Sequence, residues 1–296
     1  MLDLSIIIVS YNTKDFLKGC LTSILSSIEG KLSYEIIVVD NASTDGSVES
    51  IKYKNIKIIA NKDNVGFSKA NNQGIKISQS SKYILFLNPD TVMQDQTIEK
   101  MIKFMDANKD AGAATCKLVT LNGKIDDASH RGFPTPWNSF SHFSGLAKLF
   151  PKSKLFSGYN LGWMDLEKTH EIDALAGAFM LVRRKAGEEA KWWDEDYFFY
   201  GEDIDFCYEL KQKGWKIYYV PTVFVTHYKG VSGGIKSVSK EITTASDATK
   251  KRAAKWRFAA MRIFYNKHYK QKYPWLVTKL VNVGISIKEI YYENWD

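Results

Sequence analysis

Cysteine is scarce in this sequence. Its three cysteines, Cys20, Cys116 and Cys207, lie far apart and never form a C-x-x-C pair. Such a set offers neither a disulfide framework nor a zinc cluster, and it fits a reducing cytoplasm. Long apolar runs are missing too: Lys279 and Asn282 interrupt the best late candidate, which falls short of the roughly 18 residues that suggest a membrane span. Met1-Leu2-Asp3 leads straight into the apolar run Leu4 to Val9, without the basic leader and longer apolar core of a secretory signal. A cytoplasmic protein is expected, soluble or peripheral on the inner face of the membrane. Acidic residues are absent between Lys250 and Lys272, where nine Lys or Arg stand (positions 250, 251, 252, 255, 257, 262, 267, 270 and 272). This segment accounts for the net charge of +8. A basic stripe can meet an anionic membrane, a polyanionic ligand or nucleic acid, and charge alone does not choose among them.

What is present is globular composition, 45% hydrophobic and 25% charged over 296 residues, with room for one large domain or two modest ones. Through about residue 115, β-branched runs alternate with helical stretches, the pattern of βαβ units and a parallel sheet. Strands are predicted at Leu4–Ser10, Tyr34–Asp40, Ile56–Ala60 and Tyr83–Asn88. Helices are predicted at Thr13–Ser27, Thr44–Lys52 and Gly66–Ser78, with another after Asp95. Near-continuous runs such as Ile6-Ile7-Ile8-Val9 and Ile36-Ile37-Val38-Val39 call for helices on both faces of the sheet. From Ala113 to Tyr228 the pattern is less regular, with Pro- and aromatic-rich loops at Phe133 to Trp137 and at Phe150-Pro151. A strand is expected at Gly177–Arg183, a helix at Asp203–Lys213, and two strands, Trp215–Val220 and Val223–His227, turned by Pro221. Beyond Gly230-Val231-Ser232-Gly233-Gly234 come a polar linker, a helix from Asp247 to Lys270 and a second after Pro274. In the first of these, Ala253, Trp256, Ala260, Ile263 and Phe264 follow helical spacing, with Lys255, Arg262 and Lys270 off the stripe. Such a basic amphipathic helix can lie in a membrane interface or pack its stripe on the rest of the chain.

Ligands of α/β sheets bind at the carboxyl ends of strands, and polar residues collect there: Ser10-Tyr11-Asn12, Asp40-Asn41 and Asn88-Pro89-Asp90. The carboxylate of Asp40 can accept the imide N–H of uracil or thymine; alternatively Asp40 or Ser43 caps the next helix. Asp90 suits a Mg²⁺ or Mn²⁺ ion bridging to a diphosphate, which needs only one or two carboxylates beside phosphate oxygens and water. The alternative is an Asx turn ending a strand. Glu202-Asp203 stands at the start of a helix beside the aromatic run Trp192 to Tyr200. A carboxylate in partly apolar surroundings makes a better general base, although the same position suits a helix N-terminus. His227 ends a late strand, where a neutral imidazole can ligate Mn²⁺ or serve structure alone.

Taken in order, Ile7-Ile8-Val9-Ser10-Tyr11-Asn12, Val38 to Ser47, Asn61-Lys62-Asp63-Asn64-Val65-Gly66-Phe67 with Ala70-Asn71, and Leu85-Phe86-Leu87-Asn88-Pro89-Asp90 resemble the family 2 glycosyltransferases of GT-A fold. Gly177-Ala178-Phe179-Met180, Gly201-Glu202-Asp203 and His227 continue the likeness, which covers about residues 4 to 230 and is strongest to bacterial rhamnosyltransferase-like members. The resemblance implies one GT-A domain with a mostly parallel, Rossmann-like sheet and a C-terminal helical extension. It divides into a nucleotide-sugar-binding part (1–115), an acceptor-binding, catalytic part (116–230) and a basic, aromatic tail (231–296). It implies an inverting hexosyltransferase that moves a sugar, such as rhamnose, from a dTDP or UDP donor to a hydroxyl of a surface polysaccharide or lipid-linked precursor, with Mg²⁺ or Mn²⁺ as cofactor. Asp203 is then the base, with Glu202 as the second choice. Ser10, Tyr11, Asn12, Asp40, Asn64, Gly66, Asn88 and Gly177 bind the donor, and Asp90 and His227 hold the metal. Asn88 stands where the family's D-x-D begins with Asp, which implies a single-carboxylate site. Peripheral membrane contact through the C-terminal helix and no nucleic acid partner are expected. A basic nucleic-acid-binding protein leaves Asp40, Asp90 and Asp203 unexplained, whereas a pseudoenzyme that binds donor without transfer has the same residues.

Overall fold

The protein is described from a computed structural model over residues 1–28, 30, 32–53, 55–231, 234 and 243–293. Ser232 and Gly233 of the Gly-rich loop, and most of the polar linker after it, lie outside the described residues. Strand β1 (Leu2–Ser10) leads to helix α1 (Lys14–Ser27), followed by β2 (Tyr34–Asp40), β3 (Ile56–Ala60), α2 (Phe67–Ile77) and β4 (Ser81–Leu87). Next come β5 (Thr91–Met93), α3 (Thr97–Ala107), β6 (Ala111–Val119), the short α4 (Pro136–Ser144) and α5 (Leu146–Leu149), and β7 (His170–Ile172). The chain continues through β8 (Phe179–Arg183), α6 (Arg184–Glu189), α7 (Glu202–Gln212) and β9 (Lys216–His227), and ends in α8 (Asp247–His268) and α9 (Trp275–Glu293).

The strands form one sheet in the order β3-β2-β1-β4-β8-β6-β9-β5, with β7 added on β9. The first four are parallel, as their apolar runs require, and the register sets Ser10 beside Asp40 at one sheet edge. The other half is mixed: β8 is antiparallel to β4 and β6, and β9 is parallel to β6 but antiparallel to β5. The pleat sorts the core. Ile6 and Ile8 pack with Leu17, Leu21 and Met101 on one face, while Ile7 packs with Ala70, Phe206 and Leu210 on the other. Helices therefore cover both faces. The boundary drawn at residue 115 falls inside β6, so the first two parts share one sheet.

Two local expectations need correction, and one choice that the sequence left open is settled. Thr44–Lys52 is a series of turns, not a helix: the Asp45 carboxylate accepts hydrogen bonds from the backbone N–H groups of Lys14 and Ser47, and Gly46 has φ +78. Local side-chain bonds of this kind compete with helix formation. The two strands divided by Pro221 are one strand, β9, whose partners jump from Val220 to Phe224 across adjacent residues of β6. Proline has no N–H for the ladder and is accommodated at such a bulge. The apolar stripe of α8 faces inward: Ala253, Ala260 and Phe264 are buried, and Trp256 stacks on Phe198 with ring centroids 4.1 Å apart. Each large apolar side chain so covered stabilises the docking by roughly 1.5–3 kcal/mol.

Candidate active site

The first wall of the site is built by the carboxyl ends of the parallel strands. Asp40 is 2% exposed; its Oδ2 accepts the N–H of Ser43, and its Oδ1 is buried with no hydrogen-bond partner. A buried carboxylate oxygen without a donor is costly, and an incoming N–H would satisfy it. Asn41, next in sequence, lines the cleft and donates to the Gly66 carbonyl at 3.1 Å. Gly66 cannot be another residue: its φ is +87, and a Cβ would stand 2.7 Å from the Phe198 carbonyl. Tyr11, Asn64, Asn88 and Gly177 also line the cleft. Ser10, Asn12 and Asp40, expected in the donor pocket, do not line it; Asp40 lies buried beside the lining residue Asn41. Ser10 is fully buried with its hydroxyl 3.0 Å from that of Thr13, and Asn12 spans to the neighbouring loop, accepting the Thr44 N–H and donating its own N–H to Ser43. Asn12 instead borders a small separate cavity, which Tyr11 lines as well as the cleft.

The second wall depends on the sheet's far edge. Antiparallel pairing of β5 with β9 sets Thr91 opposite His227, and the Tyr228 N–H donates to the Asp90 carbonyl at 2.9 Å. Residues 137 positions apart thus meet: His227 Nε2 lies 3.4 Å from Asp90 Oδ1. This Nε2 is buried and makes no hydrogen bond. The opposite ring nitrogen, Nδ1, lies 3.0 Å from Asp126 Oδ2, and Lys229 holds the other oxygen of Asp126. Burial alone would lower the His227 pKa, but Asp90 and Asp126 outweigh it and raise it to about 9. Burial likewise opposes the charge on Asp126, yet His227 and Lys229 hold its carboxyl well below the usual range. Once Nε2 gives up its proton, one carboxylate oxygen and one imidazole nitrogen, both in buried residues, form a donor set that fits a divalent cation.

The third wall is the N-terminus of α7. Glu202 and Asp203 open the helix after Gly201, whose φ is +83. Glu202 is 7% exposed, with Oε2 buried and unpartnered; burial first and Asp203 second push its carboxyl up to about 8. Asp203 faces Arg131, whose Nη2 donates to Oδ2 at 2.7 Å and to the Leu175 carbonyl at 3.0 Å. Burial disfavours the guanidinium charge, but Asp203 more than restores it, so the pKa of Arg131 is raised. All three walls bound one cleft of about 1280 Å³, which holds Asn88, Asp90, His227, Glu202 and Asp203. Asp126, Arg131 and Lys229 were not assigned roles from sequence. Asp126 and Arg131 sit in loops with no periodic pattern around them; Phe198, Phe199 and Tyr200, which also line the cleft, belong to the aromatic run Trp192 to Tyr200.

A second group of ligand-type side chains, Asp205, Glu209 and His268, has atoms within 4.8 Å of one another. The Lys267 ammonium stands among them, 2.9 Å from Asp205 and 3.6 Å from Glu209, so a cation already serves these carboxylates. The group ties α8 to α7.

Comparison with known proteins shows the family and the fold. The glycosyl transferase family 2 model matches residues 5–187. The rhamnosyltransferase WbbL of Escherichia coli K12 is 30% identical over 237 residues, covering 75% of this chain and 82% of its own. The N-acetylglucosaminyl-diphospho-decaprenol L-rhamnosyltransferase of Mycobacterium tuberculosis is 25% identical over 243 residues, with 78% of each chain covered. Among solved structures, the mannosyltransferase PcManGT of Pyrobaculum calidifontis in complex with GDP-Man and Mn²⁺ superposes with a TM-score of 0.58 at 14% identity, covering 90% of this chain and 66% of its own. S. aureus TarS 1–349 in complex with UDP does so with 0.52 at 16%, covering 88% and 65%. The chain belongs to glycosyl transferase family 2, as a rhamnosyltransferase-like glycosyltransferase of GT-A fold.

Proposed function

We propose that this cleft carries out inverting transfer of a sugar such as rhamnose from a dTDP or UDP donor to a hydroxyl of a lipid-linked glycan precursor or surface polysaccharide. The observation that carries the reading is convergence: Asp90 and His227 from the sheet's far edge and Glu202-Asp203 from the start of α7 border a single cleft. In-line displacement at the anomeric carbon needs a base opposite the departing diphosphate, and a base on a different segment from the leaving-group site meets that need. The free Oδ1 of Asp40 would accept the imide N–H of the pyrimidine, and Tyr11, Asn64, Asn88 and Gly177 would enclose the nucleoside and sugar. Ser10 and Asn12 act one step back, by holding the loops that carry Tyr11 and Asp40. Asp90 and His227 would hold Mg²⁺ or Mn²⁺, which supplies Lewis-acid neutralisation of the diphosphate.

Asp203 removes the acceptor proton, with Arg131 fixing the orientation of its carboxylate. One observation favours Glu202 as a second reading: its unpartnered oxygen and elevated pKa of about 8 also suit a base. The protein would act at the cytoplasmic face of the membrane. A screen of dTDP- and UDP-sugars with and without Mn²⁺, measuring released nucleoside diphosphate in the presence of an N-acetylglucosamine-diphosphate acceptor, tests the reading. Metal-dependent release with one donor class is expected. Donor binding without release in every combination would leave a pseudoenzyme.

A further inference from the structure

Helix α9 keeps polar contacts inside and large apolar side chains outside. Thr278, Ser286 and Glu289 face α8: the Thr278 hydroxyl lies 3.0 Å from that of Tyr265, and Arg262 donates to Ser286 at 3.2 Å and to Glu289 at 2.6 Å. On the other side Leu276, Leu280, Val283 and Ile287 are all exposed, from 47% at Val283 to 64% at Leu280. An amphipathic helix normally turns such a stripe inward. Among the described residues nineteen large apolar side chains are exposed, of which seven belong to α9 and six to the segment from Trp137 to Leu155. The two groups adjoin, because the Lys288 ammonium of α9 stands 5.2 Å from the ring centroid of Phe143. Exposed apolar residues that are concentrated in this way, rather than scattered, mark an interaction site.

The spacing of the stripe identifies what covers it. From Leu276 it advances by four, three and four residues to Ile287, and Ile290 continues it by three. That is the 3.5-residue period of a seam between two helices, where aliphatic side chains interdigitate. Charge speaks against a lipid surface. Helix α9 carries Lys279 and Lys288 against Glu289 and Glu293, a net charge of zero, whereas a helix lying on a membrane is rich in Lys and Arg on its polar face. Lys288 is directed at Phe143, and Glu289 is paired with Arg262. A neutral apolar stripe meets its own copy without like-charge repulsion. Area agrees as well: a standard interface takes roughly 800 Å² and about 20–30 residues from each partner, and the apolar side chains of the two groups, with the polar residues between them, are of that order.

We propose that α9 is a dimerisation element, whose stripe Leu276-Leu280-Val283-Ile287 packs on the same stripe of a second copy of this chain about a two-fold axis, with the exposed side chains on and after α4 at the margin of the contact. In a two-fold contact one patch serves both partners, so the stripe needs no other protein to cover it. Val283 lies at the centre of the stripe, midway between Leu276 and Ile290. It therefore meets the partner's Val283 in a parallel pairing and equally in an antiparallel pairing centred on the stripe. Leu280 and Ile287 also line the cleft, which sets the contact at its rim. The proposal goes beyond the transferase reading and does not depend on it, since neither the stripe nor its spacing involves a donor or an acceptor.

Sedimentation velocity on the full chain tests this. The wild type should sediment as a dimer whose fraction falls on dilution. Leu276→Glu/Val283→Glu and Leu276→Lys/Val283→Lys, at positions outside the cleft lining, should each weaken self-association at least tenfold, because like charges then face each other across the contact. Equimolar mixing of the two variants should restore a dimer with one chain of each, which chains that fail to fold cannot do. A wild type that stays monomeric at every concentration, variants that remain dimers, or a mixture that stays monomeric overturns the proposal. Phosphatidylglycerol vesicles identify the rival occupant: flotation lost by the glutamate variant and kept by the lysine variant, with no dimer from the wild type, assigns the stripe to a membrane and overturns the proposal too. Nucleoside diphosphate release enters none of these measurements. A dimer that releases none from any donor sinks the transferase reading alone, and a monomer that releases it sinks this inference alone.

Discussion

Asp126 holds His227 by Nδ1 at 3.0 Å, and the same ring presents Nε2 to Asp90 at 3.4 Å. A carboxylate behind a ligating imidazole fixes its tautomer and orientation, and loss of such a partner typically costs 10–100-fold in metal affinity. Asp126 is buried, and nothing else seen on Nδ1 could replace it. Asp126→Asn is therefore expected to weaken Mn²⁺ binding about 10–100-fold, read by titration calorimetry, with the donor still bound at saturating Mn²⁺. His227→Ala should weaken it further. Unchanged Mn²⁺ affinity in both variants would remove the ion from this position.

The two acids at the head of α7 are separable by kinetics. Asp203→Asn should lower kcat by about 10²–10⁴ with donor KM nearly constant, the signature of a lost general base. Glu202→Gln should retain most of the turnover near pH 7, since that carboxyl is then largely protonated. The opposite ranking moves the base to Glu202. Arg131→Met, which leaves the guanidinium site empty, should lower kcat less than Asp203→Asn because it only disturbs the orientation of the base.

Glu202 also predicts a pH dependence of stability. An unfolded chain releases this proton near 4.5, whereas the folded protein keeps it up to about 8. The folded state binds more protons across that window, so stability is greatest below 4.5, falls as pH rises through the window and levels off above it. Glu202→Gln removes this component. Urea unfolding should find the variant more stable than wild type at about pH 8.5, by on the order of a few kcal/mol, and close to it at about pH 4.5. A constant difference across the range would show that burial does not raise this carboxyl.

The parallel half of the fold was legible because buried strands are unbroken β-branched runs, and those runs end at Asp40 and next to Asp90. Strand β6 was not, since Ala111-Gly112-Ala113-Ala114 has little side chain to pattern, and β5 is three residues long. Helix α4 hid inside a Pro- and aromatic-rich stretch, although Thr135 accepting the Asn138 N–H, with Pro136 next, is an N-terminal signature. In the site, Asp90, His227, Glu202 and Asp203 stand at element ends, where local pattern points. Asp126 and Arg131 reach their partners across 101 and 72 residues of chain, and no local feature of their loops announces those contacts.

The last expectation concerns how the tail is held. Asp205 is 2% exposed in the first turn of α7 and receives three partners: Tyr197, Lys267 and His268, the last at 2.6 Å. Two of these belong to α8, so one carboxylate joins the tail helix to the helix that opens with Glu202 and Asp203. Removing one member of a buried ion pair leaves the other charge without compensation, at a cost of about 3–5 kcal/mol. Asp205→Ala should therefore lower the melting temperature by at least about 5 °C and speed proteolysis within α8. Because α8 also lines the cleft through Trp256 and Arg257, the same variant should raise acceptor KM more than donor KM. Loss of stability with both KM values unchanged would mean that the tail covers the cleft without shaping it.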